Sequence, residues 1–313
     1  MSKSKWSDVA LVSALSTVNR FGSIAAAARA VGIPPRTLQE AFHKFPQVAG
    51  ERIVARPKPA AVSLERDLTR ILVVPDTHHP YVDFTAWKTF LNAVETYDPH
   101  VVVIIGDFID CYSVSDYPKD LSRLMTLKDE LAAGSEALEA LVGRLSGPGP
   151  HGYYLEGNHE ERLPRCINRY VPGLEGAITI PETLKLADRG FQWVPYGSWV
   201  KLGKVAFAHD IGHAGVNAAR STLLSFGGNI VFGHSHRGGV VYDGTVDGER
   251  HVCMNVGWLG DLTKIDYGNK PQQIRAWQHG FGIVDMTAEG HGWCSFVPIV
   301  NGACVVHGKR VSA

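Results

Sequence analysis

Apolar positions recur at two different periods along this chain, and the change of period divides it. Between Ser7 and Phe45 they recur at helical spacing. Leu11, Leu15 and Val18 share one face, Ile24, Ala27, Ala28 and Val31 fall at i, i+3, i+4 and i+7, and Leu38, Ala41, Phe42 and Phe45 make a third stripe. Ser7 and Ser23 stand where caps belong, Gly32 breaks the second helix, and Pro34 and Pro35 suit the first turn of the third. Three short helices are predicted, the last two joined by a glycine turn in a helix-turn-helix arrangement over residues 1–47. Periodicity is lost over residues 48–69, where Arg56-Pro57-Lys58-Pro59-Ala60-Ala61 reads as a basic, proline-punctuated linker.

From Arg70 to the end of the chain, short apolar runs alternate with helical stretches. Ile71–Val74, Val101–Ile105, Tyr153–Leu155, Val205–Ala208 and Ile230–Phe232 read as buried strands. Phe84–Tyr97 and Leu121–Leu145 read as amphipathic helices. Contiguous apolar strands alternating with helices imply an α/β domain over 70–313, with a largely parallel sheet covered on both faces. Beyond Gly238 the chain is glycine-rich with short β-like runs, which are expected to continue a second sheet.

Residues with metal-ligand chemistry stand where these apolar runs stop. In chain order they are Asp76-Thr77-His78, Gly106-Asp107 through Asp110, Gly157-Asn158-His159-Glu160, His209, and Gly233-His234-Ser235-His236. Ligands in open α/β sheets bind at the carboxyl ends of the strands. Asp, Asn and His gathered there suit hard or borderline divalent cations, and two such cations together favour phosphate-ester hydrolysis.

The five blocks, taken in order, resemble the calcineurin-like metallophosphoesterase superfamily, whose pattern is D-x-H, G-D-x-x-D, G-N-H-[DE], a lone His and G-H-x-H. The resemblance covers about residues 70–260. It implies a four-layer sandwich of two mixed β-sheets flanked by helices, and a site for two divalent metal ions. By the same resemblance Asp76, His78 and His236 would hold one ion, Asn158, His209 and His234 the other, and Asp107 would bridge them. A hydroxide between the two ions would attack phosphorus. His159 would act as the proton donor to the leaving oxygen, oriented by Asp110. Glu160 is the other candidate for that orienting role, or a carboxylate favoured at a helix N-terminus. Arg162 and His79 are expected to contact substrate. The donor set suits Mn²⁺, Fe or Zn²⁺, and its oxygen ligands favour Mn²⁺. Of the aromatic residues near the first two blocks, Phe84 and Trp87 are expected in the core, while Tyr81, Tyr112 and Tyr117 could stack bases. Protein Ser/Thr phosphatases of the superfamily follow the second block with Arg-Gly and precede the third with Arg. Here Cys111-Tyr112 and Leu155-Glu156 stand in those places, which points away from phosphoproteins.

Composition sharpens the expected substrate. The whole chain of 313 residues is formally neutral, but residues 1–70 carry 11 Lys/Arg against 5 Asp/Glu, a balance of +6, leaving −6 for the remainder. A basic segment hints at an anionic partner. The N-terminal pattern resembles the DNA-binding helix-turn-helix of bacterial regulators, most closely from Ser23 to Phe45. By that resemblance Arg36, Thr37, Gln39 and Lys44 on the third helix would contact DNA, although Glu40 shares their face. The preferred reading is therefore a dinuclear phosphodiesterase acting on nucleic acid, a nuclease. A small-molecule phosphoesterase whose N-terminal helices serve assembly, and a DNA-binding regulator that senses metal or ligand, stay open beside it. Five cysteines form no CxxC pair, no apolar run spans a bilayer, and no signal-peptide core follows Met1. A cytoplasmic protein with reduced thiols and no membrane partner is expected, and a homodimer is in keeping with the helix-turn-helix.

Overall fold

A computed structural model describes Leu11, Ala28 and residues 32–44, 66–146, 151–264 and 274–313. The chain divides into two compact units, residues 1–60 and 61–313. In the first, helix α1 spans Pro35–Lys44. Gly32 adopts φ +70°, and the Ile33 N–H donates to the Ala28 carbonyl at 3.0 Å. That six-to-one bond across a left-handed glycine is a Schellman helix end. Ile33, Leu38 and Ala41 are buried, as are Leu11 and Ala28. Apart from Leu11 and Ala28, the first two expected helices lie outside the described residues, as does the expected linker up to residue 65.

The second unit begins with strand β1, Leu68–Val74, two residues inside the expected linker. Helix α2 (Phe84–Tyr97), β2 (Val101–Ile104), helix α3 (Leu127–Val142), β3 (His151–Leu155), helix α4 (Arg162–Tyr170) and β4 (Phe191–Val194) follow. Then come β5 (Trp199–Leu202), β6 (Val205–Ala208), helix α5 (Ala218–Phe226), β7 (Asn229–Phe232), β8 (Gly238–Gly244) and β9 (Arg250–Val256). The chain closes with β10 (Gly280–Thr287), β11 (Gly292–Pro298) and a hairpin of β12 (Ala303–Val306) and β13 (Lys309–Ser312).

Two sheets result. The first runs β11-β10-β1-β2-β3-β4, parallel from β1 to β4 and antiparallel at β10 and β11. The second runs β5-β6-β7-β9-β8, with β6, β7 and β9 parallel and both edges antiparallel. Strand alternation explains the layering. Ile71, Val73, Val103 and Ile105 of the first sheet meet Val205, Phe207, Val231 and Met254 of the second. Their neighbours Leu72, Val74, Val102 and Ile104 face outward onto Phe90 and Val94 of α2 and Leu138 and Leu141 of α3. On the far side Ala206, Ile230 and Phe232 cover Leu223 of α5. Each of these larger side chains contributes about 1.5–3 kcal/mol by leaving water. The expected four-layer sandwich is thus present.

Three local expectations need correction. Helix α3 starts at Leu127 rather than Leu121, because Thr126 and Asp129 form a reciprocal capping box there. Only β8 and β9 of the glycine-rich tail continue the second sheet. Strand β10 returns to β1, since it is apolar on both faces: Phe281 and Ile283 join the helix layer, Val284 and Met286 the inter-sheet core. Phe84, expected in the core, is 70% exposed, at the first position of α2 with the Lys264 ammonium 5.4 Å from its ring centre. Among the described residues no helix is long and apolar enough to cross a membrane.

Candidate metal centre

All five motif blocks follow strand ends. Asp76 follows β1, Asp107 follows β2, Asn158 follows β3, His209 follows β6 and His234 follows β7. Four residues of the motif blocks take the left-handed backbone conformation that side chains rarely adopt: His78 (φ 53°), Asp107 (φ 50°), His234 (φ 62°) and His236 (φ 57°). Such strain persists only where the surroundings enforce it. Glycines admit the close approach. A Cβ on Gly106 (φ +105°) would stand 2.6 Å from His209 Nδ1 and 2.9 Å from the Gly157 Cα, and one on Gly233 would overlap Asp76 Oδ1.

The structure brings all seven expected ligands together. Asp76, His78, Asp107 and His236 form one buried group, and Asp107, His209 and the partly buried His234 form a second group. Asp107 is common to both. His78 Nε2 lies 3.1 Å from His236 Nε2, and His236 Nε2 lies 3.4 Å from Asp76 Oδ2. In the second group Asn158 Oδ1 lies 3.0 Å from His209 Nε2 and 2.7 Å from His234 Nδ1, while His209 Nε2 stands 3.4 Å from Asp107 Oδ2. Two ligand atoms sharing an ion at about 2.1 Å stand about 3.0 Å apart in octahedral geometry and about 3.4 Å apart in tetrahedral geometry. The observed spacings have that size.

The donor set also fits cations by its electrostatics. Both carboxylate oxygens of the fully buried Asp76 lack a hydrogen-bond partner, a costly state for a charged group unless a cation compensates it. Without an ion, burial pushes the Asp76 pKa up to about 6. Burial also works against a charged His209, but the Asp107 carboxylate outweighs it and raises that pKa to about 10. Burial drives His236 down to about 3. His209 Nδ1 meets the Ile105 carbonyl at 3.0 Å, which fixes the tautomer and presents Nε2 as a ligand.

Asp110 serves two imidazoles. Its Oδ2 lies 3.4 Å from His78 Nδ1, and its Oδ1 lies 3.4 Å from His159 Nδ1. Burial opposes ionisation of Asp110, yet His159 and His78 hold its carboxyl well below the usual range. His159 is buried beside the ligands, its backbone N–H donating to Asp107 Oδ1 at 2.9 Å. Burial depresses its pKa, but Asp107 and Asp110 outweigh that and raise it. Arg162 bonds Asp110 Oδ1 at 3.0 Å and meets His159 Nε2 at 3.0 Å.

Glu160 does something the sequence did not suggest. Its Oε1 accepts from Phe108 N (2.8 Å), Ile109 N (3.0 Å) and Tyr154 Oη (2.8 Å), and its Oε2 accepts from Asp107 N (2.9 Å) and Gly157 N (3.0 Å). Burial and the nearby Asp107 push its pKa up. Five donors nevertheless hold it ionised, because a protonated oxygen would have to point its O–H at another donor. Glu160 therefore ties together the loops that carry Asp107 and Asn158, and of the two carboxylates expected to orient His159 it is Asp110 that faces its Nδ1.

His79, expected at the substrate, lies elsewhere. It is buried between Trp87 and Phe108, with ring centres at 4.9 Å from each, and burial lowers its pKa to about 3. The chain has left β1 at Val74 and turns at His78 (φ 53°), and the turn sets the His79 ring against Trp87 and Phe108. On α1, Arg36 is exposed and pairs with Glu40 at 3.1 Å, Thr37 is partly buried, and the side chains of Gln39 and Lys44 lie outside the described residues.

A cleft of ≈ 810 Å³ opens beside the ligand groups, with Asp107, Asn158, His159, His234 and His236 in its wall. Arg123, Arg162, Arg237, Tyr112, Tyr117 and Trp277 also line it. Arg237 and Trp277 were missed in the sequence. A cation directly after the last ligand was the available signal for the first, and nothing in the spacing pointed to the second.

The sequence model of the family described as Calcineurin-like phosphoesterase matches residues 69–279. The Gene 54 protein of Mycobacterium phage D29 is 26% identical over 264 residues, covering 76% of this chain and 97% of that protein. Its counterpart in Mycobacterium phage L5 is 26% identical over 254 residues, covering 77% and 97%. Among solved structures, zinc-complexed Vps29 of Entamoeba histolytica aligns at 12% identity over 78% of this chain and 99% of its own, with TM-score 0.39. Vacuolar protein sorting 29 of Cryptosporidium parvum aligns at 14% identity over 79% and 97%, with TM-score 0.40.

Proposed function

We propose a nucleic-acid substrate for this chain, which belongs to the calcineurin-like phosphoesterase family and is a metal-dependent phosphoesterase. The activity proposed is phosphodiester hydrolysis, a nuclease, with Mn²⁺ as the working ion. The observation that carries the reading is the cleft beside the ligand groups, whose arginines and aromatic rings suit a sugar-phosphate backbone with stacked bases. Residues 1–47 would supply DNA affinity through Arg36, Thr37, Gln39 and Lys44. The basic balance of the N-terminal segment supports that role.

Asp76, His78 and His236 would hold one ion, Asn158, His209 and His234 the other, with Asp107 shared. When bound, two divalent ions supply charge for the phosphate oxygens and a nucleophile at neutral pH. His159 donates the proton to the leaving oxygen from Nε2, while Nδ1 faces Asp110. In the structure Nε2 meets Arg162. A phosphate in the cleft competes for that guanidinium and frees Nε2 to face the leaving group.

The test is Mn²⁺-dependent hydrolysis of a bis-aryl phosphodiester beside the matching monoester, with His159→Ala as control, followed by single- and double-stranded DNA. Diester turnover lost in the variant, together with polynucleotide cleavage, is the expected result. Turnover of a generic diester without cleavage of any polynucleotide would overturn the nuclease reading, and monoester-only turnover would replace it with a small-molecule phosphatase.

A further inference from the structure

The catalytic residues leave one end of the cleft unaccounted for. Contact by contact, Arg162 touches His159 at 3.0 Å, the His159 and His78 rings lie 4.4 Å apart, and those of His78 and His236 lie 5.0 Å apart. The row ends at Trp277, whose ring meets His236 edge-on at 4.4 Å. Arg162 stands at the end supplied by the first sheet. Arg237, one residue past His236 and just before β8, stands with Trp277 at the other, and both line the cleft.

Arg237 is held as a binding group is held. Its Nη1 donates to the Ala214 carbonyl at 2.8 Å and the Ser235 carbonyl at 3.1 Å. Its own carbonyl accepts from Gly257 N at 2.9 Å. Yet this partly buried guanidinium pairs with no carboxylate among the described residues, and its Nε has no hydrogen-bond partner there. Four other arginines, Arg70, Arg144, Arg189 and Arg220, each stand 2.7–3.2 Å from a carboxylate. A fixed, uncompensated guanidinium beside a phosphoesterase centre is a ready partner for a second phosphate. Trp277 lines the same cleft, its indole edge-on to His236, and an indole in a cleft wall is a group on which a base can stack.

We infer that Arg237 and Trp277 form a nucleotide subsite on the second-sheet side of the metal centre, Arg237 taking the phosphate next to the scissile one and Trp277 the base between them. The substrate class is then a diester that carries a neighbouring phosphate and a base, as an oligonucleotide strand does. Generic diesters lack both. The inference rests on the diesterase reading above and narrows it.

Two measurements test it, one independent of turnover. In metal-free protein, thymidine 3′,5′-bisphosphate and thymidine 5′-monophosphate are titrated by calorimetry and by tryptophan fluorescence. The bisphosphate should bind about 10- to 100-fold tighter, the worth of a charge-assisted contact. That advantage should vanish in Arg237→Gln and survive in part in Arg237→Lys, which keeps the charge but not the fork. In Mn²⁺-loaded protein, the ratio of kcat/KM for a 5′-phosphorylated dinucleotide to that for a bis-aryl diester should fall about tenfold or more in Arg237→Gln. Equal affinities for the two nucleotides in wild type, or an unchanged ratio in the variant, would overturn the subsite. Failure of wild type to hydrolyse any diester would instead overturn the diesterase reading, with the binding measurement still deciding the subsite.

Discussion

Replacing Glu160 by glutamine should loosen the metal centre without touching a ligand. The carboxylate is buried and accepts five hydrogen bonds, three on Oε1 and two on Oε2. An amide of the same shape turns one acceptor into a donor. In its better orientation the new NH₂ replaces Oε2 and faces the N–H groups of Asp107 and Gly157, so at least those two buried donors lose their acceptor. Each such loss costs about 1–3 kcal/mol, which gives about 2–6 kcal/mol for the pair. The same amides fix the loops that present Asp107 and Asn158, and groups that position ligands are worth about 10–100-fold in metal affinity. Urea unfolding, read as a change of midpoint at constant slope, measures the first effect. Mn²⁺ titration calorimetry measures the second. A variant within about 0.5 kcal/mol of wild type and with unchanged affinity would refute the claim that Glu160 organises the site.

Three further outcomes are expected. Asp107→Asn replaces the carboxylate common to both ligand groups with a group that has a single oxygen, so bound metal measured by elemental analysis should drop from two ions per chain to one or fewer. Gly233→Ala would place a methyl on Asp76 Oδ1 and 2.7 Å from Ile105 Cγ2; overpacking of this kind costs about 1–3 kcal/mol, and a Tm equal to wild type would show that the strand end can yield. Saturating Mn²⁺ at about a hundred times its Kd should stabilise the fold by about 2.7 kcal/mol. For a domain of this size that is a Tm about 5–10 °C above that of the chelated protein, and calorimetric scans with and without chelator check it.

Except for the lone His209, the ligands were legible because they are tied to strand ends by short patterns that survive without knowledge of the fold. Gly106, Gly157 and Gly233 mark places where the backbone must come close to another ligand. Residues placed by tertiary packing were not legible. Glu160 looks like a catalytic neighbour in G-N-H-E, but its partners Asp107, Phe108 and Ile109 sit some fifty positions away. Phe84 has the apolar character of a core residue and the position of a surface one, since the first residue of α2 points clear of the sheet. Strand β10 reads like its neighbours β8 and β9, and only the apolar residues on both its faces send it to the other sheet.

The backbone at the site bears on what the ions contribute. His78, Asp107, His234 and His236 hold left-handed conformations, and Asp76 lies buried with both oxygens lacking a hydrogen-bond partner. The strand ends, the Glu160 hydrogen bonds and the Asp110 contacts keep the ligand atoms close against their mutual cost. The sandwich core therefore carries the strain, and a bound cation would relieve it. Weakening that frame, as at Glu160, should lower metal affinity before it unfolds the protein, whereas removing the ion should leave the fold intact but less stable.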